Sequence, residues 1–299
     1  MNNVKKTFSI KDLENLSGIK AHTIRIWEKR YKLLSPERTN TNIRYYSLPS
    51  LQKLLNVTLL YNNGYKISKI AKIPENDIPL AVKEVVALKS NDNHAINTLK
   101  MAMINFDQTL FQKTYNHLLK KHPFRSIFWE IFIPFLSELG LLWQTDTIGP
   151  AHEHFITNLI KQKIYSSSEK LQAIEPRKND KVFVLFLPEN EIHEIGLLFV
   201  HYEILLKGYK SIYLGQTMPL ENLEDIKNYH HNLHFLSYFT VVPTKDRLEK
   251  YLNTFNKKIA NNGESKLWIL GQQTKFLNQK NLKDHIRTFE SIEALSAAL

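Results

Sequence analysis

Two short clusters carry the residue types a ligand or metal site needs. The first is Glu191-Ile-His193-Glu-Ile-Gly196. An acid two residues before a histidine can hydrogen-bond the imidazole, fix its tautomer and raise its basicity, the usual support for a metal-ligating nitrogen. Gly196 lets backbone pack closely just beyond it. Alone, the pattern also suits an ordinary polar loop. The second cluster is Trp143, followed by Glu153-His154 with His152 beside them. An aromatic, an acid and an imidazole could line one pocket, or they could be a core tryptophan and a surface histidine. A zinc site on His152-Glu-His154 lacks a third ligand at suitable spacing. The chain has no cysteine, which excludes disulfides, thiolate metal sites and cysteine nucleophiles.

The elements that must position these clusters follow from hydrophobic spacing. Residues 182–187, 211–214, 234–239 and 266–270 read as buried strands, separated by helical stretches at 196–207, 220–229 and 245–258. Such alternation implies a parallel sheet with helices on both faces. His193 then falls on the loop after the first strand, at the carboxyl end where open α/β sheets bind ligands. Upstream, residues 93–106, 108–121, 125–143 and 150–171 have helical apolar spacing and short connections, which predicts a four-helix bundle. Trp143 closes the third helix. Pro150 opens the fourth at a favoured first position, with Glu153 and His154 in its first turn. Pro-led polar segments at 74–79 and 176–180 divide the chain into 1–75, 76–175 and 176–299.

Charge singles out the first of these parts. Of the net +11, residues 1–75 carry 14 Lys and Arg against 5 Asp and Glu; the rest is nearly neutral. A basic segment on a neutral body points to a polyanion partner. Ser9 with Asp12 three residues on can cap a helix that Gly18 ends. A second, basic helix from Ala21 to about Tyr31 carries Thr23, Arg25, Lys29 and Arg30. A turn-rich stretch between two short strands follows, with Arg38, Arg44 and Tyr45 placed to reach phosphates. This is a helix-turn-helix with a β-hairpin wing, its second helix suited to the major groove. No stretch approaches ~20 uncharged apolar residues, so no membrane span is expected. No secretion signal is legible, and a cytoplasmic location is expected.

The stretch Phe8-Ser-Ile-Lys-Asp-Leu through Gly18-Ile-Lys-Ala-His-Thr-Ile-Arg-Ile-Trp-Glu-Lys-Arg-Tyr, then Leu34-Ser-Pro-Glu-Arg and Ile43-Arg-Tyr-Tyr-Ser47, resembles the MerR family of bacterial regulators. Lys20-Ala21 stands where most members have Ser-Pro. With the two later clusters in this order, the whole chain resembles the light-sensing MerR-type regulators of the CarH/LitR type and the cobalamin module of methionine synthase. The resemblance implies a winged helix-turn-helix, a four-helix bundle and a Rossmann-like parallel α/β domain. It implies adenosylcobalamin as cofactor, His193 as the lower axial cobalt ligand replacing the dimethylbenzimidazole tail, and Glu191 orienting it. Trp143, Glu153 and His154 would stand at the upper, adenosyl side, and Gly196, Ser237 and Gly271 would border the tail.

Four departures accompany it. Glu191 replaces the more usual Asp, Ser237-Tyr-Phe239 replaces Ser-x-Leu, and Gly271-Gln272 replaces Gly-Gly. Gln144 replaces the histidine that captures cobalt after photolysis in the best-known light sensor, a role left to His152, to His154 or to no residue. The implied function is a light-responsive, non-enzymatic repressor that binds operator DNA, with RNA polymerase a further partner at the promoter. Its homodimer or homotetramer state would follow the cofactor. Two alternatives stay open. One is a MerR-type regulator whose cobalamin-like domain serves oligomerisation or another effector. The other is a cobalamin carrier module, which leaves the basic winged helix unexplained.

Overall fold

The computed structural model describes residues 7–39, 42–82, 92–144, 148–260, 263–279 and 282–299, with only the backbone of 92, 93, 141, 143 and 144. The chain divides into two compact units, Met1–Leu159 and Ile160–Leu299.

In the first unit, helix α1 (Ile10–Ser17) opens on a capping box. Ser9 Oγ accepts from Asp12 N–H at 3.1 Å, and Ser9 N–H donates to Asp12 Oδ2 at 2.7 Å. Gly18 ends the helix with φ at 74°, a left-handed conformation that glycine adopts without strain. Helix α2 (Ala21–Tyr31) has no cap of its own, because Lys20 stands at the cap position. Glu14 on α1 supplies the missing acceptor: its carboxylate takes the Ala21 N–H at 3.2 Å and pairs with Lys20. The bond from Ala21 and the nearby lysines hold this carboxyl below the usual range.

Strands β1 (Thr7–Phe8), β2 (Glu37–Arg38) and β3 (Arg44–Ser47) form a small antiparallel sheet in the order β1-β3-β2. The last two are the wing; β1 adds a strand that its two residues gave no pattern to reveal. Helix α3 (Leu48–Asn62) and the short α4 (Ile67–Ile70) follow. Leu13, Leu16, Ile24, Trp27, Tyr46, Leu51, Leu54 and Leu55 are buried in this part.

The helices that follow are α5 (Asp92–Ile104), α6 (Gln108–Leu119), a third that starts as α7 (Phe124–Ile127), and α9 (Pro150–Gln172), which runs from the first unit into the second. The third helix passes through a π turn at Phe128–Phe132 before continuing as α8 (Ile133–Gln144). Pro134 accounts for the irregularity: it has no N–H for the carbonyl one turn back, and a widened turn precedes it. Buried Lys100 on α5 donates to Leu16 O, the end of α1, at 3.1 Å and pairs with Glu138 on α8.

The second unit is a five-stranded, all-parallel sheet. Strands β4 (Lys178–Pro188), β5 (Tyr209–Met218), β6 (Leu233–Tyr238), β7 (Lys266–Leu270) and β8 (Ile286–Thr288) lie in the order β5-β4-β6-β7-β8. Helices α10 (Ile195–Leu206) and α12 (Ile292–Ala298) pack together. Helix α11 (Leu248–Lys258) and the 3-10 turns Leu220–Asn228 share a core with Val184, Phe186, Phe235 and Leu267. The doubly wound sheet expected from sequence is therefore present. The segment at 220–228 is 3-10 rather than a regular helix, and β8 and α12 went unread because both are short.

Candidate cofactor-binding and nucleic-acid sites

Strand order decides where a ligand can sit in the second unit. The chain leaves β4 toward β5 on one side and returns to β6 on the other, so the carboxyl ends of β4 and β6 border a switch point, where such sheets open a crevice. Glu191 and His193 lie on the loop that leaves β4. Glu191 is 1% exposed and its carboxylate is saturated. Oε1 accepts from the N–H groups of Ile192 at 2.9 Å and His193 at 3.0 Å; Oε2 accepts from Val241 at 2.7 Å and Val242 at 2.9 Å. It thus staples the loop after β4 to the loop after β6. Burial alone would raise its pKa, but these bonds outweigh it and hold the carboxyl below the ordinary value.

His193 Nδ1 lies 2.6 Å from Glu191 Oε1. An ionised carboxylate only accepts, so Nδ1 carries the proton and a neutral ring keeps its lone pair on Nε2. The side chain is 53% exposed. The result is a rigidly held imidazole with a free basic nitrogen at the crevice. The two bonds from Val241 and Val242 were not legible in E-x-H; they depend on the β6 loop coming within reach.

The next residue, Glu194, is buried and takes Lys161 at 3.1 Å and the Tyr213 hydroxyl at 2.9 Å. Sequence reading missed this group, whose members lie on α9, β5 and the loop.

The glycines have specific reasons. A Cβ on Gly196 would stand 2.8 Å from the Tyr238 ring, so Gly196 makes room for that side chain. Gly271 has φ at 103°, and a Cβ there would meet the Phe239 carbonyl oxygen at 2.3 Å. Ser237 is fully buried and donates to Phe186 O at 2.9 Å, tying β6 to β4. Gln272 opens a 3-10 turn after Gly271.

In the first unit, Glu153 and His154 lie in the first turn of α9, and Pro150 is its first residue. His152 is buried, stacks on Phe106 with ring centroids 4.6 Å apart, and its Nδ1 accepts from Gly149 N–H at 3.3 Å. His154 is exposed. The two histidines therefore serve different faces, and among the described residues no cluster of three His, Asp or Glu could hold a metal ion. Trp143 and Gln144 end α8; their side chains lie outside the described residues.

On α2, Arg25, Lys29 and Arg30 are exposed and Thr23 is half-buried, its hydroxyl 3.3 Å from His22 Nε2. On the wing, Arg38 donates to Asn42 Oδ1 at 2.6 Å, Tyr45 donates to Glu37 at 2.7 Å, and Arg44 is exposed. Arg38 and Tyr45 thus brace the hairpin while standing on its surface. No helix among the described residues is long and apolar enough to cross a membrane.

Residues 8–76 match the family model described as MerR HTH family regulatory protein, and residues 95–166 match the B12 binding domain. The chain is 27% identical over 226 residues to the HTH-type transcriptional repressor CarH of Myxococcus xanthus, covering 73% of this chain and 74% of that one. It is 23% identical over 220 residues to the repressor CarA of the same organism, covering 73% and 71%. Among solved structures it resembles the Methanosarcina barkeri monomethylamine corrinoid protein, with TM-score 0.56 and 15% identity over 70% of this chain and 99% of that one, a likeness of fold.

Proposed function

We propose that this chain, a MerR-type regulator of the CarH type with a B12-binding module, is a light-responsive transcriptional repressor whose oligomeric state and operator binding follow adenosylcobalamin. The observation that carries it is the Glu191–His193 pair at the β4/β6 crevice, in a chain whose residues 8–76 match the MerR helix-turn-helix model. On this reading the chain works in three parts, 1–75 on DNA, 76–175 over the cofactor's upper face and 176–299 beneath it.

The residues suit a corrinoid on the lower side. A half-exposed imidazole with a carboxylate-held proton on Nδ1 would offer Nε2 as a donor to the metal. The space beside Gly196 is taken by the Tyr238 ring, which must turn aside for any group entering there. That contact, with Gln272 after Gly271, favours a second reading, in which the domain serves assembly or another effector.

When bound, adenosylcobalamin supplies a light-labile cobalt–carbon bond, and the protein supplies orientation. Glu191 would fix the His193 tautomer, and His193 would hold the metal through Nε2. By the resemblance, Trp143, Glu153 and His154 would serve the adenosyl side, and Gly196, Ser237 and Gly271 would border the tail. His154 is exposed where His152 is stacked away, so of the two it would be the histidine available to the cofactor. A light-dependent shift between two assemblies would change how many winged helices reach the operator together and what they leave to RNA polymerase.

The test is the absorption spectrum and gel-filtration size of protein reconstituted with adenosylcobalamin, in the dark and after green light. A red protein whose spectrum and size change together is expected. A colourless protein overturns the cobalamin reading; a red protein indifferent to light overturns the photoresponse. His193→Ala should convert the dark spectrum toward a form without the histidine ligand, and an unchanged spectrum removes His193 from that role.

A further inference from the structure

Helix α2 presents one stripe to solvent. Ile24 and Trp27 are buried in the winged-helix core, at 0% and 4% exposure. His22, Arg25, Ile26, Lys29 and Arg30 are exposed. Three and four residues from Ile26 in either direction stand His22, Thr23, Lys29 and Arg30, which are its neighbours on the helix surface. Ile26 itself is 52% exposed. A single exposed apolar residue is ordinary. Its place is what matters: the centre of the cationic face of the second helix of a helix-turn-helix.

We infer that Ile26 reads sequence by packing on a thymine C5-methyl group in the major groove, while Arg25, Lys29 and Arg30 engage phosphates and other base edges. The inference rests on the DNA-binding reading above and adds the residue that discriminates. An occupant of this face must offer negative charge around an apolar spot. The major groove does: phosphates flank it, and the thymine methyl is the apolar group on its floor. A second apolar protein surface would leave the surrounding cations unpaired on burial. Ile26 makes no phosphate contact, so it adds specificity without adding to salt dependence.

The test starts with the full chain, in the dark with adenosylcobalamin, selecting from a random-sequence DNA duplex pool. Thymines of the enriched site are then replaced one at a time by deoxyuridine, which deletes only the methyl. Wild type should lose about fourfold in affinity at one thymine per half-site, the size of one buried methyl group. Ile26→Ala should bind with the same salt slope and the same melting temperature, yet be indifferent to that replacement and select without preference there. Lys29→Ala should lower the salt slope by about one and keep the thymine preference. A deoxyuridine effect that persists in Ile26→Ala, or none in wild type, overturns the role of Ile26. No enrichment by wild type overturns the DNA-binding reading with it.

Discussion

Glu191 shows how one buried side chain can organise a site. Its two oxygens take four backbone N–H groups and the His193 ring. Glu191→Gln replaces one accepting oxygen with an N–H donor, which leaves buried donors facing a donor. That costs on the order of 1–3 kcal/mol per orphaned group, so urea unfolding of this variant should shift to lower concentration; an unchanged midpoint would show that the staple is dispensable. At Gly271 the constraint is backbone. Both the positive φ and the Phe239 carbonyl oppose any side chain, and Gly271→Ala should destabilise by about 3 kcal/mol or more. Gly196 is different, because its neighbour is a movable ring. Gly196→Ala should be costly with Tyr238 present and nearly neutral in a Tyr238→Ala background, a coupling that a double-mutant cycle measures.

Histidine burial gives the second unit a pH dependence. His201 on α10 is 2% exposed, with Nδ1 2.7 Å from Ser211 Oγ and Nε2 3.2 Å from Gln172 Nε2. Burial pushes its pKa down to about 4, against ~6.5 in an unfolded chain. Below about pH 6.5 the unfolded chain therefore binds a proton that the folded chain refuses, and stability falls as the pH drops toward 4. His234, also held at about 4 by burial, acts in the same sense. The melting temperature should fall between pH 7 and pH 5, and His201→Gln should flatten that fall while lowering stability at pH 7. A fall of the same size in the variant would assign the dependence to other groups.

At the scale of elements, the first unit depends on contacts that replace local signals. Helix α2 lacks an N-cap side chain and borrows Glu14 from α1, which explains why Lys20-Ala21 is tolerated there. Lys100 joins three helices: it stands on α5, holds the last turn of α1 and pairs with Glu138 on α8. Lys100→Met keeps the apolar stem and removes the charge, leaving the Leu16 carbonyl without its donor while Glu138 keeps its solvent. The expected loss is about 1–3 kcal/mol, read as a lower denaturation midpoint of the first unit. A midpoint equal to wild type would mean that the helices hold their places by apolar packing alone.

At the scale of the molecule, the basic segment and the proposed cofactor site are separated along the chain. The basic excess lies in residues 1–75 and the Glu191–His193 crevice more than a hundred residues later. DNA affinity should therefore fall steeply with salt whether the cofactor site is intact or carries His193→Ala, since phosphate contacts set the slope. Light should change affinity at fixed salt in the first protein and leave it constant in the second. A slope that changes with His193→Ala would place part of the DNA contact elsewhere.

The sequence by itself determined the elements and their chemistry. Hydrophobic period separates helices from strands, and the capping box, the Gly18 turn and the basic α2 follow from neighbours a few residues apart. The pairing of Glu191 with His193 was legible for the same reason, being two residues in one loop. Tertiary structure decided what depends on chain segments far apart. The order β5-β4-β6-β7-β8 makes the crevice, the β6 loop saturates Glu191, and Tyr238 fills the space at Gly196. It also turned His152 inward and left His154 outside, though both stand in one turn of one helix. Local patterns carry secondary structure because its forces act between near neighbours. Which side chains then meet depends on how the sheet and helices pack, and no short stretch of sequence contains that.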